Sequence, residues 1–348
     1  CTQQTSLYRV LGIMEAIVTL SQPFSTGRSA ERPAYTPAEK ALVRRLVDLF
    51  EGKASGNMGP ELYQNGGADL FEKLTQSQAY NPYAGEICLI DENKGHIHAW
   101  AESVESAIII GPGPANSVRN KELPILRGLP NLKQVHVIEL SRVFNTQSSA
   151  LLQEELSGVQ VSSHTKDFMR MERSSLGDVS GSSLLISTGS LTNYENCSTD
   201  RFPSPQLKSH LRAFRRLAGD GGKVLWGYDS HLSTGAYEDP LVSEFLLYPL
   251  KRAARIQGVS IDPSGFIRHS DCHQQASLVA HAWEATRDQM IDIAGDRHWI
   301  SQGDKFTIFC SVKPCPDKVK IFESIAKLKT HEYKTEEAGA VLHAFDCV

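Results

Sequence analysis

Between residues 105 and 230 the chain alternates short runs of consecutive apolar residues with longer stretches in which apolar residues recur every three or four positions. The short runs are "SAIIIG" (106–111), "QVHVIEL" (134–140), "SSLLIST" (182–188) and "GKVLWGYD" (222–229). Mostly apolar runs of this length predict strands buried on both faces. The stretch "SPQLKSHLRAFRRLAG" predicts a helix laid on a sheet: Ser204-Pro205 opens it, and Leu207, Leu211 and Phe214 form one stripe. Strands alternating with helices predict an α/β fold with a mostly parallel, doubly wound sheet. Upstream, "TPAEKALVRRLVDLFEG" predicts a helix with defined ends. Thr36 and Glu39 form a capping box, Pro37 is the first helical residue and Gly52 the stop, and Leu42, Val43, Leu46, Leu49 and Phe50 make the apolar face. Residues 21–35 predict a loop. Beyond residue 230 the alternation fails. A helix near 240–256 and strands at 276–284 and 304–313 predict a second, α+β region.

Composition narrows the class. With 348 residues, 41% hydrophobic and 22% charged, the chain has material for one large or two modest domains. A formal net charge of −4 argues against a broad basic face, so no nucleic-acid partner is expected. No apolar run approaches the roughly 20 residues of a membrane span, so no membrane partner is expected. Residues 8–20 contain Arg9 and Glu15 and predict an arm or helix packed on the domain. The seven cysteines are odd in number and irregularly spaced, which predicts a reducing, cytoplasmic setting. Neither Cys272-His273 nor Cys310 with Cys315 has the second pair a zinc site needs, so no metal is expected.

In a doubly wound sheet, ligands sit beyond the carboxyl ends of the strands. Four features fall there. Gly111-Pro112-Gly113-Pro114 forms a glycine turn with no lysine at phosphate-loop spacing. Glu139, 28 positions past Gly111, ends the next strand, where an acid takes ribose hydroxyls. Asp167-Phe168 offers a carboxylate for an adenine amino group and a ring to flank the base. A further strand-like segment precedes Asp167-Phe168, and the fourth feature, "STGSLTN" (187–193), ends the strand "SSLLIST". Together they suit a nucleoside without phosphates, such as S-adenosylmethionine. A dinucleotide such as NAD asks for a fuller G-x-G-x-x-G, and no hydride-transfer motif is present.

The stretch "LYQNGGADLFEKLTQSQAYNPYAGE" (62–86) resembles a segment of the histidine N-alpha-methyltransferases of ergothioneine biosynthesis, matching at Tyr63, Gly66, Leu70, Phe71, Glu72, Tyr80, Pro82 and Glu86. "STGSLTN" resembles that family's G-S-T-I-G-N, with Asn193 on the last position. "GAYEDP" resembles its A-Y-D-D and places Tyr237. "FCSVKP" resembles its E-x-S-x-K and places Ser311 and Lys313. The resemblance runs from about residue 60 to the C-terminus. It implies a Rossmann-like class I methyltransferase core (85–227 plus 314–348) and a discontinuous α+β substrate-binding domain (15–84 plus 228–313). It also implies roles. Asn193 and Tyr237 hold the substrate carboxylate, while Tyr63 and Tyr80 line the amine and the methyl path as the catalytic residues. Gly111, Gly113, Glu139, Asp167, Phe168 and Tyr80 hold S-adenosylmethionine.

Three departures bear on the substrate. The family's lysine six residues after its first glycine is Ser117, with Arg119 and Lys121 as candidate substitutes. The first glycine of G-S-T-I-G-N falls on Thr188. The family's glutamate in E-x-S-x-K, which holds the histidine imidazole, is Phe309. A phenylalanine accepts no hydrogen bond from imidazole but offers an apolar ring face. With Ala280 where the family has a bulky methionine, a larger and more apolar pocket follows, with Ser311 as a polar contact. The pattern is similar to the tryptophan N-methyltransferases of mushrooms, a branch of fungal secondary metabolism. It implies iterative methylation of the tryptophan α-amine by a monomer. Histidine, a prenylated tryptophan, or binding of an amino acid without turnover are the alternatives. The amine must shed a proton before it attacks, and burial lowers its pKa. A tyrosine or a water relays that proton.

Overall fold

A computed structural model describes residues 34–53, 56–77, 81–179, 181–189, 193–194, 205–315, 319–335 and 339–348, with Asn193 described in its backbone alone. Tyr80, the expected arm at 8–20 and nearly all of the expected loop at 21–35 lie outside the described residues.

Helix α1 (Pro37–Phe50) has the ends its sequence encodes. The Thr36 backbone N–H donates to Glu39 Oε2 at 2.8 Å, and Glu39 N–H donates to Thr36 Oγ1 at 3.3 Å. Helices α2 (Gly59–Leu62) and α3 (Gly67–Thr75) follow, then α4 (Asn81–Trp100), a 20-residue helix that no apolar periodicity announces. The expected helix at 240–256 is two, α9 (Pro240–Leu246) and α10 (Tyr248–Ala253). Pro249 lacks the N–H that would continue α9, so the axis restarts there.

The central sheet has seven strands. β1 (Val104–Ile110), β2 (Gln134–Ile138), β3 (Gln160–His164), β4 (Ser182–Ser187) and β6 (Lys223–Asp229) are parallel. β13 (Leu328–Thr335) and β14 (Ala340–Cys347) complete it, with β14 antiparallel to both β6 and β13. The spatial order is β13-β14-β6-β4-β1-β2-β3. Alternate side chains of β1 enter different cores, as a period of two requires. Ala107 and Ile109 pack with α4, α5 (Ala115–Asn120), α6 (Glu122–Leu126) and α7 (Arg142–Glu155). Ile108 and Ile110 pack with α8 (Pro205–Ala218) and α11 (Val319–Ala326). The stripe Leu207, Leu211 and Phe214 is fully buried there, as its spacing predicts. This is the Rossmann-like α/β architecture.

Two smaller antiparallel sheets are built from residues 259–312, with one short strand, at 193–194, drawn from between two strands of the central sheet. One runs β11-β10-β7, built from β7 (Val259–Ser260), β10 (Gln289–Ile293) and β11 (Asp296–Ile300). The other runs β5-β12-β9-β8, from β5 (Asn193–Tyr194), β8 (Phe266–His273), β9 (Leu278–Ala285) and β12 (Lys305–Val312). Their apolar residues join those of α1–α3, α9 and α10 in a third core. Yet Leu278, Ala280, Cys310 and Val312 on β9 and β12 pack into the core of the large sheet, and residues 35–348 form one compact unit.

Candidate active site

The order of the parallel strands reverses at β1, so the chain leaves β1 and β4 on opposite sides and a crevice opens between their C-terminal ends. A cleft of about 790 Å³, solvent at its mouth included, lies there. Gly111, Pro112 and Gly113 line it after β1, Thr188 and Gly189 after β4, and Tyr228 and Asp229 at the end of β6. Phe71 and Thr75 reach it from α3, and Tyr83 and Glu86 from α4. Tyr237, His281, Phe309, Ser311 and Lys313 close it from the other side. Gly111 (φ 59°) and Gly113 (φ 73°) take left-handed conformations, which explains two glycines in so short a turn.

One wall holds a buried ionic cluster. Lys121 Nζ lies 3.0 Å from Glu86 Oε2, and both side chains are nearly inaccessible. The Gly189 N–H donates to Glu86 Oε1 at 2.7 Å, fixing the turn after β4. A Cβ on Gly227 would sit 2.0 Å from that oxygen, so only glycine lets α4 bring Glu86 so close to β6. Burial pulls the Lys121 ammonium down, but the carboxylates of Glu86 and Glu122 outweigh it and hold its pKa above the usual lysine value. Burial pushes the Glu122 carboxyl up, against Lys121 and its bond from the Thr188 hydroxyl. Of the two candidate substitutes for the lysine absent at 117, Lys121 lines the cleft, whereas Arg119 pairs with Glu155 at 2.8 Å on the surface.

The opposite wall is organised by Lys313. Its Nζ lies 2.7 Å from Asp229 Oδ2 and also donates to the Tyr237 hydroxyl. Burial works against its charge, but Tyr237 and Asp229 overcome this and raise its pKa. Phe309 and His281 are directly opposite partners on β12 and β9, with ring centroids 4.7 Å apart. The His281 ring meets Tyr237 edge-on at 4.6 Å, and its Nδ1 lies 3.0 Å from Ser270 Oγ. Burial, with Lys313 and Arg268 nearby, lowers its pKa to about 3, so the imidazole is neutral. Ser311 lies directly opposite Asn193 in the β12–β5 ladder, which brings the Asn193 backbone to this wall.

Beyond the glycine turn, Glu139 directly follows β2. Its Oε2 accepts from Gly113 N–H at a long 3.4 Å and its Oε1 from Ser141 N–H at 2.8 Å. Burial raises its pKa against the backbone N–H groups of Ser141, Gly113 and Leu140. Asp167, just past β3, caps a short turn by accepting from Met169 N–H at 3.0 Å. Phe168 packs on His210 (4.9 Å) and Phe214 (6.0 Å) of α8. These three stand at the same edge of the sheet as the cleft without being among its lining residues.

Two expected pocket residues lie elsewhere. Ala280 packs beneath the sheet with Cys310, because alternation along β9 turns it away and presents its neighbour His281 instead. Tyr63 lies in an aromatic group with Phe71 (5.2 Å) and Phe245 (5.4 Å), in contact with the lining residue Phe71 but not itself lining the cleft. Glu86 and Lys313 were matched motif positions without an assigned role. Asp229 carried the readable signal of an acid ending a strand. His281 carried a weaker one, a single polar residue inside the apolar run "SLVAHAW".

The sheet order and the crevice at its switch point define a class I methyltransferase fold and site. The family described as histidine-specific, SAM-dependent methyltransferases matches residues 58–344, and the chain belongs to it. It is therefore an enzyme whose cofactor is S-adenosylmethionine. No curated protein matches the chain. Solved structures with a similar course include an S-adenosylmethionine-dependent methyltransferase from Clostridium acetobutylicum, at 11% identity and a TM-score of 0.37 over 75% of this chain and 90% of that one. The CcbJ methyltransferase from Streptomyces caelestis has 11% identity and a TM-score of 0.41 over 74% and 90%. The PH0226 protein from Pyrococcus horikoshii has 13% identity and a TM-score of 0.39 over 79% and 93%. The residues present fit the cofactor: a side-chain-free turn at Gly111 and Gly113 adjoins a carboxylate, Glu139, held only by backbone N–H groups among the described residues. No helix among the described residues is long and apolar enough to cross a membrane.

Proposed function

We propose that this enzyme methylates the α-amino group of L-tryptophan, in successive rounds that give the N-methyl, then the N,N-dimethyl or trimethyl product. The observation that carries this is how the described carboxylates of the cleft are engaged. Among the described residues lining it, the carboxylates are Glu86 and Asp229, and each is held by a buried lysine, Lys121 and Lys313. The position where the family glutamate is expected carries the buried ring of Phe309. An imidazole there has two polar nitrogens to desolvate and no charged partner, whereas an indole has one N–H and more apolar area to bury.

In this reading residues 85–227 with 314–348 bind the cofactor, and 15–84 with 228–313 bind the amino acid. Gly111, Gly113, Glu139, Asp167, Phe168 and Tyr80 hold S-adenosylmethionine, which supplies an electrophilic methyl group on a sulfonium. Asn193 and Tyr237 hold the substrate carboxylate. Tyr63 acts through Phe71 on the path of the amine, and Tyr80 lines it. The charge of Lys313 disfavours a second cation in the cleft, so it favours the neutral, nucleophilic amine. The rate then rests on alignment more than on a strong base. The irregular cysteines support a reducing, cytoplasmic setting.

The test is kcat/KM for tryptophan and histidine on the unmodified enzyme. Tryptophan is expected to lead by about one to two decades, the cost of an unpaired polar group in a closed site. Preference for histidine overturns the assignment. Phe309→Glu is expected to weaken tryptophan turnover and to raise that of histidine.

A further inference from the structure

We propose that His281 is the specificity-determining residue of the pocket and that its Nε2 accepts the ring N–H of the substrate side chain. This rests on the tryptophan reading above. His281 is 1% exposed, and its Nε2 has no hydrogen-bond partner among the described residues. A buried polar atom without a partner is a cost that native structures rarely carry, so a partner supplied by a ligand is the economical reading. The residue is among those that line the cleft, so a ligand held there is beside it.

The surroundings specify what that partner is. Phe309 and Tyr237 pack on the imidazole at 4.7 and 4.6 Å, leaving it between aromatic rings. The ring is neutral, since burial and the cations Lys313 and Arg268 oppose its protonation. Those same cations disfavour an ammonium partner, which leaves a neutral N–H donor on a flat apolar body. Ser270 makes this possible from behind. Its hydroxyl oxygen accepts from Arg268 Nη1 at 3.2 Å and lies 3.0 Å from His281 Nδ1. A hydroxyl can accept from Nδ1–H as readily as donate to Nδ1. With Nδ1–H bonded to Ser270, Nε2 carries the lone pair and is left to accept from a ligand. Indole has a single ring N–H, and this site has a single ring acceptor. An imidazole substrate would leave its second nitrogen against Phe309.

The probes are tryptophan and 3-(benzothiophen-3-yl)alanine, which has the same shape with sulfur in place of N–H. On the unmodified enzyme tryptophan is expected to be favoured by at least about tenfold in kcat/KM, the scale of one hydrogen bond in a closed site. His281→Phe keeps an aromatic ring and is expected to bring the ratio to about one. His281→Gln, which keeps a side-chain acceptor, is expected to retain part of it, and Ser270→Ala to reduce it by freeing the tautomer. Ser311→Ala is the control for the hydroxyl on the same strand as Phe309. A preference unchanged in His281→Phe, or lost in Ser311→Ala alone, overturns the proposal. So does equal turnover of the two probes by the unmodified enzyme, a result that needs no folded variant and leaves tryptophan as the substrate. If the unmodified enzyme turns over neither probe but accepts histidine, the substrate reading itself fails and this proposal with it.

Discussion

Lys313 and Asp229 meet at 2.7 Å beneath the cleft, one just past the last residue of β12 and the other the last residue of β6. The pair therefore ties the small four-stranded sheet to the central one at the cleft. Both side chains are at most 10% exposed, so neither charge has water to fall back on. Lys313→Met leaves Asp229 buried without its cation, and a loss of about 3–5 kcal/mol in unfolding free energy is expected in denaturant titration. The double variant Lys313→Met/Asp229→Asn is expected to recover part of that loss. A single variant as stable as the parent would show that the pair contributes nothing to holding the sheets together.

Glu139→Ala removes a carboxylate that accepts from Gly113 and Ser141 N–H. A folded variant is expected to bind S-adenosylmethionine more weakly by about 1.5–3 kcal/mol in calorimetry, the range for hydrogen bonds to a charged group. An unchanged Kd places the ribose elsewhere.

Decarboxylated amines test the far end of the substrate. Tryptamine leaves the proposed clamp of Asn193 and Tyr237 unpaired, and its kcat/KM is expected to fall by about two decades or more relative to tryptophan. Turnover of tryptamine at the same efficiency would make the enzyme an arylalkylamine methyltransferase and remove the clamp.

Acid stability follows from four buried imidazoles. Burial lowers the pKa of His210, His281 and His343 to about 3 and that of His136 to about 4. In the unfolded chain these groups take up protons near pH 6.5. Between that value and their folded values the unfolded state binds more protons, so stability falls as pH falls. The contribution is complete above pH 6.5 and drains away towards pH 3–4, with a slope of at most about 1.4 kcal/mol per pH unit per histidine. Thermal melts from pH 7.5 to 4.5 are expected to show Tm dropping from about pH 6.5, before most carboxylates titrate. A flat Tm across that window contradicts neutral burial of these rings.

How much of this was legible beforehand depended on whether the relevant interaction was local. The ends of α1 follow from residues three apart, and the capping box at Thr36 and Glu39 forms as its spacing predicts. Four of the parallel strands, β1, β2, β4 and β6, follow from their apolar runs, and the stripe of α8 from a repeat of one turn, whereas β3 (QVSSH) has no such run. Helix α4 escaped because its buried positions, Glu86 among them, do not form an apolar stripe. The break between α9 and α10 was written in Pro249 and is a local effect.

The site divides in the same way. Sequence by itself determined the fold class, the glycine turn, the acid directly after β2, and a phenylalanine at 309 where the related motif has glutamate. Tertiary structure decided which side of β9 faces the cleft, turning Ala280 under the sheet and His281 into the pocket. It also decided that Glu86 and Asp229 are both taken by lysines 35 and 84 positions away, Lys121 and Lys313. The reason is physical. Helix caps, turns and periodicity are fixed by neighbours along the chain, whereas the charge and orientation of a buried side chain are fixed by whatever the fold brings against it, and strand register sets that across distances no local pattern spans.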